Sequence, residues 1–366
     1  MVSKPQIYIQ KILQDAVDRG AERGIQCAVY HNGKLIVDAW AGLADPQTGR
    51  AVNSETLFPV FSVTKGIVAT VIHLLAERKK IDYDDSICKY WPEFSAYGKE
   101  NIKIRHILNH TAGMQNVPVE IDINTVCNWQ IVCEAIAKSK PTWEPGTRAE
   151  YHAMTYGWIL GEIAQRADGR TLKDLIMEEI CQPLHIKDIY IGIPDEVENR
   201  IAILEDPVVA PINQNLTLAQ SVPNWIWPLH SWMNRPDARR ACVPGSNGIM
   251  NARAIAKHYA ALLPGGVDGI ELLPENRIAI ATNPKIGTYN KLNPTSSFWT
   301  LGYSLSNGPS SASDSKISPF GHNGHGGSTG FADPNFKIAV GITKNLFSKE
   351  NIVPQLINEI KNIIQK

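Results

Sequence analysis

Apolar positions recur along this chain with two alternating periods, and each change of period marks an element boundary. Between Pro5 and Arg23, residues Ile7, Ile9, Ile12, Leu13 and Ala16 fall at near-helical spacing, which predicts an amphipathic helix packed by one face. A hairpin follows: Cys27 to His31 and Lys34 to Ala41 flank Asn32-Gly33, the pair that best tolerates the two positive φ angles of a type I′ turn. The far end mirrors this design. Ser328 to Ala332 and Lys337 to Thr343 read as strands around Asp333-Pro334-Asn335, and a closing helix is expected from about Ile352 to Ile364.

Between the two ends the period is mostly helical, over Gly66 to Arg78, Ile102 to Asn109, Val126 to Ala137, Tyr156 to Arg166, Leu172 to Cys181 and Ala252 to Leu263. Gly169 can take a left-handed cap, Thr171 and Asn251 can N-cap the helices that follow them, and Pro183 blocks continuation. No repeat, low-complexity tract or linker separates a module. The expected fold is therefore α+β in a single domain. An antiparallel sheet flanked by N- and C-terminal helices (residues 1–60 and 300–366) carries a large, mostly helical insertion (61–299), with the active site where the two meet.

Composition narrows the classes. Hydrophobic residues make up 43% and charged residues 20% of 366, an ordinary globular balance, and Lys+Arg and Asp+Glu total 36 each. That balance leaves no field to attract nucleic acid or an anionic membrane. Met1 to Arg23 carries charges throughout and no apolar core, so neither a signal peptide nor a membrane span is expected there, and the protein is placed in the cytoplasm. Cys27, Cys88, Cys127, Cys133, Cys181 and Cys242 are scattered without a Cys-x-x-Cys pair and read as thiols.

The chemistry begins at Ser62-Val63-Thr64-Lys65, between Phe58-Pro59-Val60-Phe61 and an apolar helix. A Ser at a buried helix N-terminus meets free N–H groups and the positive dipole end, and a Lys three residues on shares its face. The competing reading is an N-cap Ser with a solvated Lys, but Lys65 sits between hydrophobic runs. Two more stretches matter. Tyr151 precedes a helix after the Glu144-Pro145-Gly146 turn, and either packs in the core or acts as a base. Phe320-Gly321-His322-Asn323-Gly324-His325-Gly326-Gly327-Ser328 crowds glycines at the start of a strand, as a turn or as a close approach to ligand.

In this order the three stretches resemble the β-lactamase-like serine hydrolases: class C β-lactamases, DD-peptidases and, most closely, family VIII carboxylesterases, whose Ser-x-x-Lys carries the nucleophile. Further matching stretches run from Ile104 to Gly113, Pro244 to Gly248, Leu301 to Tyr303 and Gly330 to Pro334. The resemblance implies that Ser62 is the acylated nucleophile, that Lys65 lowers its pKa and relays its proton, and that Tyr151 is the general base. It also implies an oxyanion hole from the N–H groups of Ser62 and His325, with His322-Asn323-Gly324 in place of the family's Lys-Thr-Gly. There are two departures. Ala153 stands where the β-lactamases have an Asn, and His322 replaces the Lys that answers a substrate carboxylate; both point to neutral esters or thioesters.

Rival motifs fare worse. Gly326 to Gly330 matches G-x-S-x-G, but a strand follows it and no His occurs after His325, which removes Ser328 as a nucleophile. His106 with His110 and His322 with His325 lack the acid and third ligand of a metal site, so no metal or organic cofactor is expected. His152, Trp225 and Trp227 are further candidates for substrate binding, the tryptophans in a Pro-bounded segment, Pro223 to Trp232, expected to be irregular. The expected function is a carboxylesterase on small or medium esters. The alternative is an acyltransferase or thioesterase-like enzyme using the same acyl-enzyme, ahead of a β-lactamase, a DD-peptidase or a non-catalytic scaffold.

Overall fold

The computed structural model describes residues 3–207, 221–289, 298–305, 317–348 and 350–365. Strands β1 (Gly24–His31), β2 (Lys34–Asp45) and β3 (Arg50–Ala51) come from the first part of the chain, and β4 (Phe58–Phe61), β5 (Ile189–Ile191) and β6 (Gly248–Met250) from the middle. The last part supplies β7 (Thr288–Tyr289), β8 (Phe298–Trp299), β9 (Ser304–Leu305), β10 (Phe320–Asn323), β11 (Thr329–Asp333) and β12 (Ile338–Lys344). They form a nine-stranded sheet in the order β3-β2-β1-β12-β11-β10-β9-β8-β7 and a three-stranded sheet in the order β4-β6-β5. The helices used below are α1 (Lys4–Asp18), α2 (Thr64–Glu77), α3 (Thr155–Asp168), α4 (Leu229–Met233), α5 (Ala252–Ala260) and α6 (Val353–Gln365).

Local chemistry accounts for the turns and caps. Asn32 and Gly33 take φ of 49° and 71°, as the β1–β2 hairpin requires. Gly169 closes α3 at φ 93°, while the Thr171 and Asn251 side chains accept from the N–H of Asp174 and Ala254. β1 and β12 pair antiparallel, so the first and last strands of the chain lie side by side at the centre of the sheet. One face of that sheet carries α1 and α6 over a core that includes Ile9, Leu13, Ile25, Val340 and Leu356. The other face carries α5 and the main core.

The large sheet reaches back across the expected boundary at residue 300, because β7 and β8 belong to it. The segment from Pro223 to Trp232 is also more regular than expected: a single 3-10 turn at Asn224–Ile226 is followed by α4. Pro228 at the α4 N-cap explains the start, since its missing N–H would be unpaired there in any case.

What positions the site is α2, whose residues Thr64 to Ala76 are all buried. A helix apolar on every side is held on every side. α3 packs beside it, and Gly157 on α3 lies so close to the loop at Pro244-Gly245 that a Cβ would stand 2.0 Å from the Gly245 nitrogen. Both sides of this contact are backbone, so Gly157→Ala should cost about 2–3 kcal/mol as an overpacked site. Urea unfolding of the two proteins measures it; an unchanged midpoint would contradict the close approach.

Candidate active site

Ser62 follows β4 in a turn that enters α2. Phe61, directly before it, is buried at φ 48°, the left-handed region that a bulky residue rarely adopts. The conformation is pinned: the Thr64 hydroxyl donates to the Phe61 carbonyl and accepts from the Gly248 N–H at 2.9 Å. The turn presents the half-buried Ser62 to a cavity while Lys65, one helical turn on, points at it from within the core.

The Lys65 amine is fully buried and makes three contacts: to the Ala153 carbonyl at 2.7 Å, the Gly245 carbonyl at 2.6 Å and the Ser62 hydroxyl at 3.2 Å. Burial without a compensating charge drives its pKa well below the ordinary 10.5. Carbonyls only accept, so two N–H bonds of the amine are committed to them. In the neutral amine the remaining lone pair faces Ser62 and can take its proton.

Tyr151 stands beside the same hydroxyl, and Lys65 Nζ lies 4.8 Å from the centre of its ring. Burial pushes the phenol well above its ordinary range. Trp299 stacks on Tyr151 at 5.5 Å and 22°, and His110, itself at φ 63°, packs 4.8 Å from it. The structure thus brings Tyr151 against Ser62 and Lys65 from a distant part of the chain.

The β10 end closes the other side. A Cβ at Gly324 would meet the Val60 carbonyl at 2.1 Å, so the backbone after β10 runs directly alongside the end of β4. The His325 ring contacts Phe61 at 5.6 Å and Trp227 at 5.7 Å. Neither the Ser62 nor the His325 N–H has a protein acceptor among the described residues. His322 is buried, its Nδ1 lies 2.8 Å from the Asn323 carbonyl, and burial holds its pKa down to about 3. The Asn323 side chain accepts from Thr329 at 2.7 Å.

A cavity of about 410 Å³ opens over these groups. Its wall includes Phe61, Met154, Val222, Ile226, Trp227, Leu229, Trp232 and Trp299, and no Lys, Arg, Asp or Glu contributes to it among the described residues. Trp227, His322, Asn323 and Gly324 line it as expected of substrate-binding residues, but two candidates do not. His152 is fully buried behind the cleft, with Nδ1 2.7 Å from the Glu150 carbonyl and Nε2 accepting from the Met114 N–H at 3.1 Å. Both its nitrogens are occupied in holding the loop before α3. Trp225 is displaced because the turn at Asn224–Ile226 directs Ile226 and Trp227 into the wall instead.

Other readings resolve similarly. Ser328 is buried and its hydroxyl accepts from the Lys344 N–H at 3.3 Å, while His106 Nδ1 accepts from the Lys103 N–H. No cluster of three metal-binding side chains occurs among the described residues. Sequence reasoning missed Trp299, whose signal was an aromatic indistinguishable from core, and the carbonyls of Ala153 and Gly245, for which side-chain identity carries no signal.

A sequence model of the Beta-lactamase family matches residues 9–359. The "Esterase/beta-lactamase LipL" of Mycobacterium tuberculosis (strain ATCC 25618 / H37Rv) is 31% identical over 338 residues, covering 87% of this chain and 76% of that protein. A crystal structure of a family VIII carboxylesterase is similar with a TM-score of 0.88 at 30% identity, covering 100% of this chain and 98% of the other. A penicillin-binding protein homolog from Caulobacter crescentus is similar with a TM-score of 0.86 at 28% identity, covering 98% and 97%.

The Lys65 geometry generates a pH prediction. If the neutral Lys65 amine takes the Ser62 proton, turnover of an ester should rise with pH through a single ionisation centred below 10.5 and then level off. Lys65→Arg, which retains a cation that does not deprotonate, should lose about 10²–10⁴-fold in kcat/KM. A flat profile, or a Lys65→Arg variant with ordinary turnover, would exclude Lys65 as the base.

Proposed function

The chain belongs to the Beta-lactamase family of serine hydrolases, and from that membership we propose that it is a carboxylesterase that passes through a covalent ester on Ser62. The observation that carries the proposal is the cavity above Ser62 and Tyr151, to which no charged side chain contributes among the described residues. An apolar pocket of this volume fits a small or medium neutral ester, and a carboxylate brought into it would find no cation among the described residues of its wall. Esterase relatives support the same reading.

In the proposed reaction the Ser62 oxygen attacks the ester carbonyl carbon as its proton passes to the Lys65 lone pair. The carbonyl electrons move onto oxygen, where the N–H groups of Ser62 and His325 receive the charge as it develops. Collapse breaks the bond to the alcohol oxygen, which leaves with the Tyr151 proton while Lys65 returns its proton to Tyr151. Water then enters by the same route in reverse and releases the acid. Lys65 takes the general-base role that the family resemblance implies for Tyr151, because burial disfavours a phenolate and favours a neutral amine in the same space. The six cysteines are free thiols, which fits a reducing, cytoplasmic setting.

Incubation with p-nitrophenyl butyrate is expected to give a burst of nitrophenol and a mass increase on Ser62, followed by slower hydrolysis. A protein that never acylates with any ester or phosphonate would sink the proposal. Adding alcohols separates hydrolysis from acyl transfer, since a transferase would shift product from acid to new ester. Tyr151→Phe should lower kcat by about 10²–10⁴-fold with little change in KM; near-normal turnover would remove the phenol from the proton path.

A further inference from the structure

We propose that His322 selects the alcohol part of the substrate: its Nε2 accepts a hydrogen bond from a second hydroxyl, so that monoesters of diols are preferred over esters of simple alcohols. This rests on the esterase reading above and adds a substrate class to it.

The argument starts from the proton count on the imidazole. His322 Nδ1 lies 2.8 Å from the Asn323 carbonyl, which can only accept, so Nδ1 carries a hydrogen. The ring is buried and pairs with no carboxylate among the described residues, which keeps it neutral and leaves Nε2 as a bare lone pair. That atom is itself buried and has no hydrogen-bond partner among the described residues. A buried acceptor without a donor destabilises the protein until a ligand supplies one. A carboxylate cannot, because a lone pair repels it; a hydroxyl can.

Position decides which part of the substrate is read. The His322 ring lies beside Tyr151, 6.2 Å between ring centres, and Tyr151 is the group that serves the departing oxygen. A donor next to Nε2 on that side therefore belongs to the alcohol and not to the acyl chain. Two other wall atoms, Ser246 Oγ and Trp232 Nε1, also lack protein partners. Neither specifies a hydroxyl donor in the way a lone pair does, since one can donate or accept and the other only donates.

Butyrate release from 2-hydroxyethyl butyrate and from propyl butyrate, which differ by a hydroxyl in place of a methyl, measures the preference directly. The wild-type protein should favour the hydroxyethyl ester by about five- to tenfold in kcat/KM. His322→Phe should bring the ratio near one, and His322→Gln, whose amide oxygen accepts, should restore part of it. A second pair, ethyl 3-hydroxybutyrate and ethyl 3-methylbutyrate, places the hydroxyl on the acyl side and should show no preference. A wild-type ratio near one, a ratio that survives in His322→Phe, or a preference confined to the acyl pair would each overturn the assignment. Labelling of Ser62 by a fluorophosphonate reports whether the His322 variants are folded; where they do not label, the wild-type ratio alone decides. If propyl butyrate is hydrolysed through Ser62 without a preference, only the role of His322 fails. If no ester acylates Ser62, the esterase reading fails and takes this inference with it.

Discussion

A lysine amine buried with no counter-ion among the described residues is the constraint on which the rest of this structure depends. An ammonium in that position costs several kcal/mol of lost hydration, and one hydroxyl and two carbonyls return only part of it. Burial therefore shifts the balance toward the neutral amine. To hold even that amine, the chain must bring the carbonyls of Ala153 and Gly245 to a residue 88 and 180 positions away. The close approach of Gly157 to Gly245 and the burial of α2 on all sides are what make those distances short.

Backbone strain lies where this constraint meets the cavity. Phe61 and His110 both hold positive φ, each costing on the order of 1–3 kcal/mol, and they flank Ser62 and Tyr151 respectively. Thr64 locks the first by two hydrogen bonds; the second is packed among Tyr151, Tyr156 and Trp299 and accepts from the His152 N–H at 3.2 Å. Rigid placement follows from this packing. The hydroxyl and the phenol are brought side by side at the cavity wall by this packing.

Much of this was legible in the sequence because it depended on local chemistry. Asn32-Gly33, Gly169, Thr171 and Asn251 each name their own conformation, and the α+β architecture followed from where the period changes. Ser62, Lys65 and Tyr151 were legible as a set only through their order along the chain, since each alone has a plausible structural reading. The misassignments share a cause. His152 lies next to Tyr151 in sequence, yet successive residues in an extended segment face opposite ways, and it points into the core. Trp225 was grouped with Trp227 by composition, which says nothing about which residue a turn directs inward. The carbonyls of Ala153 and Gly245 leave no side-chain trace at all.

Burial acts on each titratable group of the site in the direction that removes its charge: Lys65 and His322 fall, and Tyr151 rises. The site therefore holds groups that can pass protons with less tendency to carry charge than they would have in water. Such a site gives the reacting carbonyl of a neutral ester little to pair with in the ground state, and the donors around it engage most strongly when negative charge appears on the carbonyl oxygen. That is the condition under which interactions lower a barrier instead of deepening a well. It also explains why replacing the family's Lys by His322 need not disable the chemistry. The cation it removes would serve recognition of an anionic substrate, whereas the proton path proposed here runs through Ser62, Lys65 and Tyr151.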